Sequence, residues 1–409
     1  MNIRASISKN IQNIALNISG SKSETNRLLL LQALYPEITL KNTSDSDDSD
    51  VMTEALSSRN NLIDIHHAGT AMRFLTAYFA IQNQNEITLT GSARMKQRPI
   101  QILVEALQQL GADISYEENH GFPPIKIKGT KIIQNQVTLD ANVSSQYISA
   151  LLLIAPKLEN GLELTLEGKI TSVPYIQMTL ALLDEIGAQT AFIGNKITVR
   201  PLAKIEKPTT ITVESDWSSA SYYYSICALS NIGTNIILSS YNQNSLQGDS
   251  QLAEIYEALG VKTEFRENTI ALTKVGHADA VISFNLNKTP DIAQTIAATC
   301  FGLGISCHLT GLHTLKIKET DRLEALKTEL SKLGANISVT DDSLILERSA
   351  HIIPEVKIAT YNDHRMAMAF APLAIKAPIV IEDASVVSKS YPAFWNDLKA
   401  LGFTIAETK

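Results

Sequence analysis

Hydrophobic and polar positions follow a strand period and then a helix period at the start of this chain. Residues 2 to 18 alternate apolar and polar side chains, as in a half-buried strand. Ser21 and Glu24 then have the spacing of a capping box, and the apolar run behind them predicts a buried helix up to the Tyr35-Pro36 step. The chain is therefore expected to open with strands that lead into a buried helix.

Helices of this kind recur at a nearly constant spacing. Their predicted starts lie near residues 23, 70, 145, 218, 290 and 363, so the gaps are 47, 75, 73, 72 and 73 residues. Second helices end on an apolar residue and a glycine, at Leu110-Gly111, Ile186-Gly187, Leu259-Gly260, Leu333-Gly334 and Leu401-Gly402. All but the last of these ends are followed by a strand, a polar turn and another strand. A fixed period indicates a repeated supersecondary unit, which we interpret as β-α-β-α-β-β.

Two irregularities suggest how the repeats are grouped. The first gap is short and contains no helix-end signal, so the first unit is expected to lack its hairpin. The last unit has only one strand after Gly402, and we expect residues 2 to 18 to supply its missing strands. The prediction is an N-terminal lobe of residues 21–213 and a C-terminal lobe of residues 1–20 plus 214–409, joined by two crossings that act as a hinge.

Composition narrows the class of protein. The 409 residues include 35 Lys plus Arg and 42 Asp plus Glu, a net charge of −7 that argues against nucleic acid or an anionic membrane as a partner. The three cysteines, Cys227, Cys300 and Cys307, form no CxxC pair and have no His partners at zinc spacing, so no metal is expected. With no secretory h-region and no apolar run of about 20 residues, we expect an unexported, cytoplasmic protein. We also expect it to be a monomer.

Basic residues nevertheless cluster at the predicted helix starts. Helix N-termini favour anions, and at least five Lys or Arg side chains at such places in an acidic chain indicate a substrate with several negative charges. Simpler roles remain open: Ser23, Thr70, Ser145 and Ser218 are equally compatible with plain N-caps. The acidic run Asp45 to Asp50 is interpreted as a solvated cap of a helix that begins at Val51.

The segment Lys316 to Leu326, KIKETDRLEAL, concentrates the chemistry. On a helix, Lys318 and Arg322 would share one face with Glu319 between them, so that cations and a carboxylate meet at one point. Asp291 and Glu319 are interpreted as the only carboxylates among the clustered cations, which makes them candidates for a general base and a general acid.

Eleven segments in order carry a resemblance to a known family. They are GSKSETNR from Gly20, AGTAMR from Ala68, RMKQRPI from Arg94, VSSQY from Val143, SVPYIQMTL from Ser172, ESDWSSASY from Glu214, LQGD from Leu246, TPD from Thr289, KIKETDRL from Lys316, TYNDHRMAM from Thr360 and VVSKSYPAFW from Val386. In these segments the chain resembles the enolpyruvyl transferases, and most of all the branch that acts on shikimate 3-phosphate. The resemblance implies an α/β fold, a two-lobed inside-out α/β barrel of six β-α-β-α-β-β units. It also implies transfer of the enolpyruvyl group of phosphoenolpyruvate to shikimate 3-phosphate, with no metal and no organic cofactor.

The resemblance also implies roles for individual residues. The residues expected to bind shikimate 3-phosphate are Lys22, Ser23, Arg27, Ser144, Ser145, Gln146, Ser172, Tyr175, Asp291, Thr314 and Lys318. Those expected to bind phosphoenolpyruvate are Lys22, Gly69, Arg98, Gln146, Arg322, Arg365 and Lys389. Asp291 is expected to take the proton of the 5-hydroxyl, and Glu319 with Lys22 to protonate the methylene carbon. Four positions depart from the family pattern: Ser19, His67, Phe74 and Thr314.

Two other functions share some of these features. The enolpyruvyl transferases that act on UDP-N-acetylglucosamine have the same fold, but they typically carry a loop cysteine in the first lobe, and here no cysteine precedes Cys227. A non-catalytic anion sensor on the same scaffold is the second alternative. The presence of both Asp291 and Glu319 argues against it.

Overall fold

The chain divides into two compact units. The computed structural model describes residues 1–7, 11, 14–82, 86–140, 144–168, 170 and 173–408. Gly20–Val213 form one unit, here called the N-terminal unit, and Met1–Ser19 with Glu214–Lys409 form the other, the C-terminal unit. The sequence placed Gly20 in the C-terminal lobe, but its backbone lies against Asn42 and it belongs to the N-terminal unit.

Strands occupy short segments throughout the chain. In chain order they are β1 (Asn2–Ile7), β2 (Ile14–Asn17), β3 (Ile38–Lys41), β4 (Leu62–Asp64), β5 (Glu86–Thr90), β6 (Asp113–Tyr116), β7 (Ile125–Lys128), β8 (Gln136–Asp140), β9 (Leu162–Glu167), β10 (Thr190–Ile193), β11 (Lys196–Val199), β12 (Thr209–Thr212), β13 (Asn235–Ser239), β14 (Val261–Arg266), β15 (Thr269–Lys274), β16 (Val281–Asn285), β17 (Ser306–Thr310), β18 (Ile337–Val339), β19 (Ser343–Leu346), β20 (Val356–Ile358), β21 (Ile379–Ile381) and β22 (Phe403–Thr408).

The α-helices alternate with these strands. They are α1 (Lys22–Leu34), α2 (Asp47–Ser57), α3 (Gly69–Ala80), α4 (Gln101–Gln109), α5 (Ser145–Ile154), α6 (Val173–Glu185), α7 (Trp217–Leu229), α8 (Leu252–Ile255), α9 (Ala293–Leu303), α10 (Arg322–Lys332), α11 (His364–Phe370) and α12 (Phe394–Ala400). Short 3-10 turns precede or extend several of them. None of these helices, within the part of the chain that the structure describes, is both long and apolar enough to cross a membrane.

Each complete repeat builds one four-stranded sheet. In the repeat from β4 to β7, β4 and β5 are parallel, β7 runs antiparallel to β5, and β6 pairs at the edge with β7. The chain order of this repeat is β4-α3-β5-α4-β6-β7, and β8 to β11 and β16 to β19 repeat it. The β-α-β-α-β-β unit predicted from the helix spacing is therefore confirmed.

The first repeat is truncated, as the short gap predicted. Helix α2 is followed by β4, which belongs to the next sheet, and β3 pairs only with β12 in a two-stranded parallel sheet among the described residues.

The assignment of residues 2 to 18 to the last repeat is wrong for half of this segment. Strand β1 does complete the last sheet, between β21 and β22. Strand β2 instead pairs in parallel with β13 and begins the sheet of the fourth repeat. Strand β12 has the corresponding place in the first repeat. The alternation of residues 2 to 18 is the same in both strands, so it could not indicate which partner each would take.

The first helices of the repeats, such as α3, α5 and α7, are buried almost throughout, whereas second helices such as α4 and α10 bury only part of their residues. All thirteen residues of α7 are buried, whereas strands such as β8 bury only alternate side chains. Each unit has its own apolar core. Helices that are apolar on every side need burial all round, which is why they lie inside and the half-polar sheets outside.

The second helices end at glycines, as predicted. The predicted capping side chains at the starts of the first helices are only partly confirmed. The terminal glycines have left-handed backbone angles, with φ of 101° at Gly111 and 95° at Gly187. At the first helix, however, Ser21 occupies the N-cap position and its side chain accepts no capping hydrogen bond, so the capping box is wrong.

At α5 and α7 the side chain that caps the helix lies one or two residues before the predicted cap. Ser144 accepts from the Gln146 amide, and Asp216 accepts from the Ser218 amide. Ser145 and Ser218 are consequently not N-caps, and their hydroxyls are available for other contacts.

Candidate active site

Asp291 is the centre of a charged cluster in the C-terminal unit. It lies in the 3-10 turn Pro290–Ile292 that leads into α9. Arg322 Nη1 lies 2.8 Å and Lys318 Nζ 3.3 Å from its Oδ1, and Arg365 Nη2 lies 3.7 Å from its Oδ2. Burial by itself would raise the pKa of Asp291, but the three cations outweigh it and hold that pKa well below its usual range. Asp291 is therefore a carboxylate at neutral pH.

Arg322 links the carboxylates of this cluster. Its side chain is 2% exposed and donates to Asp363 at 2.7 Å through Nε, to Asp291 at 2.8 Å through Nη1 and to Glu319 at 2.8 Å through Nη2. Burial would lower the pKa of Arg322, yet the carboxylates, Asp363 first among them, raise it above its ordinary value. Most of its N–H donors are thus engaged by carboxylates within the protein.

Two interpretations of this region need correction. Lys318 and Glu319 do not lie on a helix with Arg322, because the 3-10 turn His313–Ile317 ends before them and α10 begins only at Arg322. The cations and the carboxylate do meet, but around Asp291 and not along a helix face. Asp321 caps α10 and interrupts the helix that the charge spacing suggested.

Asp291 and Glu319 are also not the only carboxylates among the cations, so that prediction is wrong. Asp363 is fully buried, binds Arg322 and caps α11 by accepting from the Arg365 amide. Asp249, also buried, accepts hydrogen bonds from two hydroxyls beside this cluster.

Three further predicted residues lie in the same unit. Arg365, in the first turn of α11, donates to the Asp291 carbonyl at 3.2 Å and to Ser218 Oγ at 3.2 Å. Lys389 Nζ donates to the Asn362 carbonyl oxygen at 2.7 Å. Thr314 lies in the turn His313–Ile317, and its buried hydroxyl has no hydrogen-bond partner within the described chain.

Arg27 is the buried cation of the N-terminal unit. Its guanidinium donates to Thr179 Oγ1 at 2.8 Å, to Ser149 Oγ at 3.0 Å and to the Ser23 carbonyl at 2.6 Å. It is 3% exposed and forms no salt bridge within the described residues, and burial lowers its pKa to about 10. These contacts join α1 to α5 and α6, and Glu24, on the same helix α1, is a carboxylate whose charge acts on the guanidinium.

Arg98 and Arg73 lie together at the start of α3. Gly69 is the first residue of α3, and a Cβ placed on it would come within 2.9 Å of Arg98 Cζ. Arg73 donates to the Gly69 carbonyl at 3.0 Å and to the Pro99 carbonyl at 3.1 Å. Burial, followed by the charge of Arg98, lowers the pKa of Arg73 to about 10. Neither guanidinium has a carboxylate partner among the described residues, so this helix start has the charge and the free amides to bind an anion.

Lys22 differs from these arginines because it has an acidic partner. Its Nζ lies 3.1 Å from Asp48 Oδ2, and His67 Nε2 lies 3.6 Å from Asp48 Oδ1. Asp48 is 6% exposed and α2 begins at Asp47, so the interpretation of residues 45 to 50 as a solvated cap before a helix at Val51 is wrong. Lys22 can bind a substrate only in competition with, or beside, this carboxylate.

The remaining predicted residues of the N-terminal unit lie at the starts of α1, α5 and α6. Gln146 Nε2 donates to Thr70 Oγ1 at 3.2 Å and so links α5 to α3. Ser144 is exposed and Ser145 buried at the start of α5, and Ser23 is half-buried in α1. The half-buried Tyr175 lies in α6 with its ring 5.9 Å from Arg27 Cζ. Ser172, also predicted to bind substrate, lies outside the described residues.

No group of three or more His, Cys, Asp or Glu side chains suited to a metal ion occurs in the described ranges.

Comparison with known proteins identifies the family. The sequence model of EPSP synthase (3-phosphoshikimate 1-carboxyvinyltransferase) matches residues 57–398. The chain belongs to the EPSP synthase family. A 3-phosphoshikimate 1-carboxyvinyltransferase of Bacteroides fragilis (strain YCH46) is 49% identical over 395 residues, which cover 95% of each chain. One of Haemophilus influenzae (strain KW20 / Rd) is 36% identical over 419 residues, covering 94% of this chain and 96% of that protein.

Solved structures agree on the fold. The EPSP synthase of Acinetobacter baumannii superposes with a TM-score of 0.79 at 21% identity, covering 99% of this chain and all of that one. The enolpyruvyl transferase NikO of Streptomyces tendae has a TM-score of 0.75 at 14% identity over 100% of this chain and 99% of its own. At these identities the likeness concerns the fold alone, and it confirms the predicted two-lobed α/β architecture.

Sequence reasoning overlooked Asp363, Asp249 and Asp48. The first two lie in segments that resemble the family, TYNDHRMAM and LQGD, so a signal for them was present. Asp48 lies in a run of acidic residues whose exposed members hide the one that is buried.

Proposed function

We propose that this chain transfers the enolpyruvyl group of phosphoenolpyruvate to the 5-hydroxyl of shikimate 3-phosphate and releases phosphate. Its family and relatives support this reaction, which belongs to the biosynthesis of aromatic amino acids. The observation that carries the proposal is the Asp291 cluster, where one carboxylate is kept ionised by Lys318, Arg322 and Arg365. A reaction between two polyanions needs cations to bind them and a carboxylate to accept a proton, and this cluster supplies both.

For shikimate 3-phosphate, Arg27 is the residue that binds the carboxylate. The support is its buried guanidinium, which α1, α5 and α6 hold in place. The serines bind the phosphate, because hydroxyls and free amides at the start of α5 suit an anion. The full set is Lys22, Ser23, Arg27, Ser144, Ser145, Gln146, Ser172, Tyr175, Asp291, Thr314 and Lys318.

For phosphoenolpyruvate, Arg98 and the start of α3 are the strongest contact in the N-terminal unit. Two guanidiniums with no described carboxylate partner repel each other, and an anion beside Gly69 would relieve that repulsion. The full set is Lys22, Gly69, Arg98, Gln146, Arg322, Arg365 and Lys389. Arg322 contributes less directly than the others, since three carboxylates already occupy its donors.

The proton transfers follow from the charges. Asp291 removes the proton of the 5-hydroxyl while that oxygen attacks C2 of phosphoenolpyruvate, and Glu319, with Lys22, delivers a proton to C3. A tetrahedral ketal forms; it then loses a proton from C3 and expels phosphate, which restores the double bond. The depressed pKa of Asp291 makes it a weak base in the free protein. Substrate anions that bind its three cations raise that pKa, so the base gains strength only when both substrates are present.

Phosphate release is the test. The purified chain is assayed with phosphoenolpyruvate plus shikimate 3-phosphate, and in parallel with phosphoenolpyruvate plus UDP-N-acetylglucosamine. We expect phosphate only in the first mixture and its loss in Asp291→Asn. The proposal would be contradicted if phosphate were released with UDP-N-acetylglucosamine, or if neither mixture released phosphate.

Two finer proposals concern the state and place of the enzyme. We infer that it acts as a monomer in the cytoplasm, as expected from its sequence. Light scattering after gel filtration and cell fractionation test these two statements. A stable dimer, or recovery of the chain with the membrane or the medium, would contradict them.

A further inference from the structure

The segment Leu246–Asp249, LQGD, has no part in the proposed reaction although it is one of the segments that resemble the family. Its last two residues begin the 3-10 turn Gly248–Gln251 of the C-terminal unit. Gln247 and Asp249 are each 5% exposed. A buried carboxylate that binds no substrate needs another reason to be there, and its contacts supply one.

Asp249 accepts two hydrogen bonds from hydroxyls on two other elements. Ser218 Oγ, at the start of α7, donates to Oδ2, and Thr289 Oγ1, just before the turn Pro290–Ile292, donates to Oδ1. A carboxylate has no hydrogen to give, so both hydroxyl hydrogens must point towards Asp249. The orientation of each hydroxyl is thereby fixed.

The Ser218 contact reaches Arg365. Because the Ser218 hydrogen is directed at Asp249, its oxygen lone pairs are free to accept from Arg365 Nη2, which lies 3.2 Å away. The other end of the guanidinium, Nη1, donates to the Asp291 carbonyl at 3.2 Å. Asp249 therefore constrains the guanidinium of Arg365 through one intervening hydroxyl.

The Thr289 contact reaches the turn that carries Asp291. Thr289 is the N-cap of that turn, and its amide donates to the Leu286 carbonyl at 3.0 Å. With its hydroxyl tied to Asp249, the residue that precedes the turn is held at both backbone and side chain. The position of Asp291 two residues later depends on this anchor.

Gln247 fixes the same segment to the entry of α7. Its Oε1 accepts from the Trp217 amide at 2.9 Å, and its Nε2 donates to the Ser215 carbonyl at 2.9 Å. Asp249 thus holds the Ser218 side chain, and Gln247, two residues away in the same segment, holds the backbone just before Ser218.

We propose that Asp249 is a positioning residue that sets Arg365 for phosphoenolpyruvate through Ser218 and sets Asp291 for proton removal through Thr289. This inference rests on the proposed function, since it assigns Asp249 a part in the same reaction. It predicts that the two contacts of one carboxylate affect different kinetic constants.

Steady-state kinetics of three variants separate the two contacts. Ser218→Ala should raise KM for phosphoenolpyruvate about tenfold with little change in kcat, because a hydrogen bond that orients a charged ligand-binding group is lost. Thr289→Val should lower kcat about tenfold with little change in that KM, because only the anchor of Asp291 is lost. Asp249→Asn should show both changes together.

Tyr224→Phe is the matched control. Tyr224 lies on the same helix as Ser218, is buried, and its hydroxyl pairs with Thr263 Oγ1 at 2.8 Å. Its loss should lower the thermal unfolding temperature and leave both kinetic constants unchanged. A purely structural role of Asp249 would give the same result as this control.

The inference is overturned if Asp249→Asn unfolds at a lower temperature yet keeps both constants within about twofold of wild type. If Asp249→Asn does not fold, Ser218→Ala and Thr289→Val decide the matter, and wild-type constants in both would overturn it. Failure of the proposed function looks different: the wild-type chain would release no phosphate from the two substrates.

Discussion

Replacement of Arg322 by methionine would remove the guanidinium that three carboxylates of the C-terminal unit share. The pair with Asp363 matters most, because Arg322 is 2% exposed, Asp363 is fully buried, and 2.7 Å separates Nε from Oδ2. Loss of one partner from a buried ion pair costs about 3–5 kcal/mol, since the remaining charge stays in a medium that solvates it poorly. Glu319, whose side chain is 29% exposed, adds less because water can reach it. We therefore expect Arg322→Met to lower the free energy of unfolding by about 3–5 kcal/mol.

Urea unfolding followed by tryptophan fluorescence measures this loss in the right part of the chain. Both tryptophans, Trp217 and Trp395, are buried in the C-terminal unit, so their emission reports on that unit. Arg266→Met is the matched control, since Arg266 forms an exposed ion pair with Glu264 at 2.7 Å in the same unit. The control should show no measurable change. If Arg322→Met were no less stable than Arg266→Met, the account of a buried guanidinium that balances three carboxylates would be refuted.

Two other perturbations test the anion site and the charges. Gly69→Ala should raise KM for phosphoenolpyruvate by roughly ten- to a hundredfold, because the new methyl group displaces Arg98. Gly276→Ala is the control, since a Cβ at that position meets open space. An unchanged KM in Gly69→Ala would contradict the assignment of Gly69 and Arg98 to the phosphoenolpyruvate site. Urea unfolding at a series of pH values tests the charge of Asp291. The free energy of unfolding of wild type should exceed that of Asp291→Asn by its largest amount above about pH 4, and the excess should shrink below that pH, because the folded-state pKa of Asp291 is depressed. For Asp249, burial raises the pKa, so the advantage of wild type over Asp249→Asn should instead decrease as pH rises above about 4; equal slopes for the two variants would contradict this.

The repeat was predictable because it depends on local chemistry. Buried helices need apolar side chains on all faces, and the ends of the second helices need a residue that tolerates positive φ, as Gly111 and Gly187 do. Both signals are visible at fixed intervals in the sequence. The truncated first repeat followed from the same signals, because a missing hairpin leaves a short gap.

Strand partners were not predictable in the same way. Strands β1 and β2 have the same alternation, yet one pairs with β21 and β22 and the other with β13. Alternation specifies which face of a strand is buried, but it does not specify which strand lies next to it.

The candidate residues were found but their arrangement was not. The spacing of Lys318, Glu319 and Arg322 suggested a helix face, whereas Asp321 caps α10 and leaves the first two residues outside it. Asp363 lies 41 residues from Arg322 in the chain, so no periodic pattern could reveal their ion pair. Contacts between distant polar residues depend on how the helices pack, which local sequence does not specify.

Deuterium exchange into phosphoenolpyruvate tests the central claim that Glu319 and Asp291 transfer protons. The substrate is incubated with shikimate 3-phosphate in deuterated water, and recovered phosphoenolpyruvate is analysed for deuterium at C3. Wild type should incorporate it through the reversible ketal, and Glu319→Gln should suppress both incorporation and kcat by about 10²–10⁴, because the amide keeps the shape but cannot protonate carbon. Asp291→Asn should lower kcat with weaker suppression of exchange. Wild-type exchange and wild-type kcat in Glu319→Gln would contradict the account.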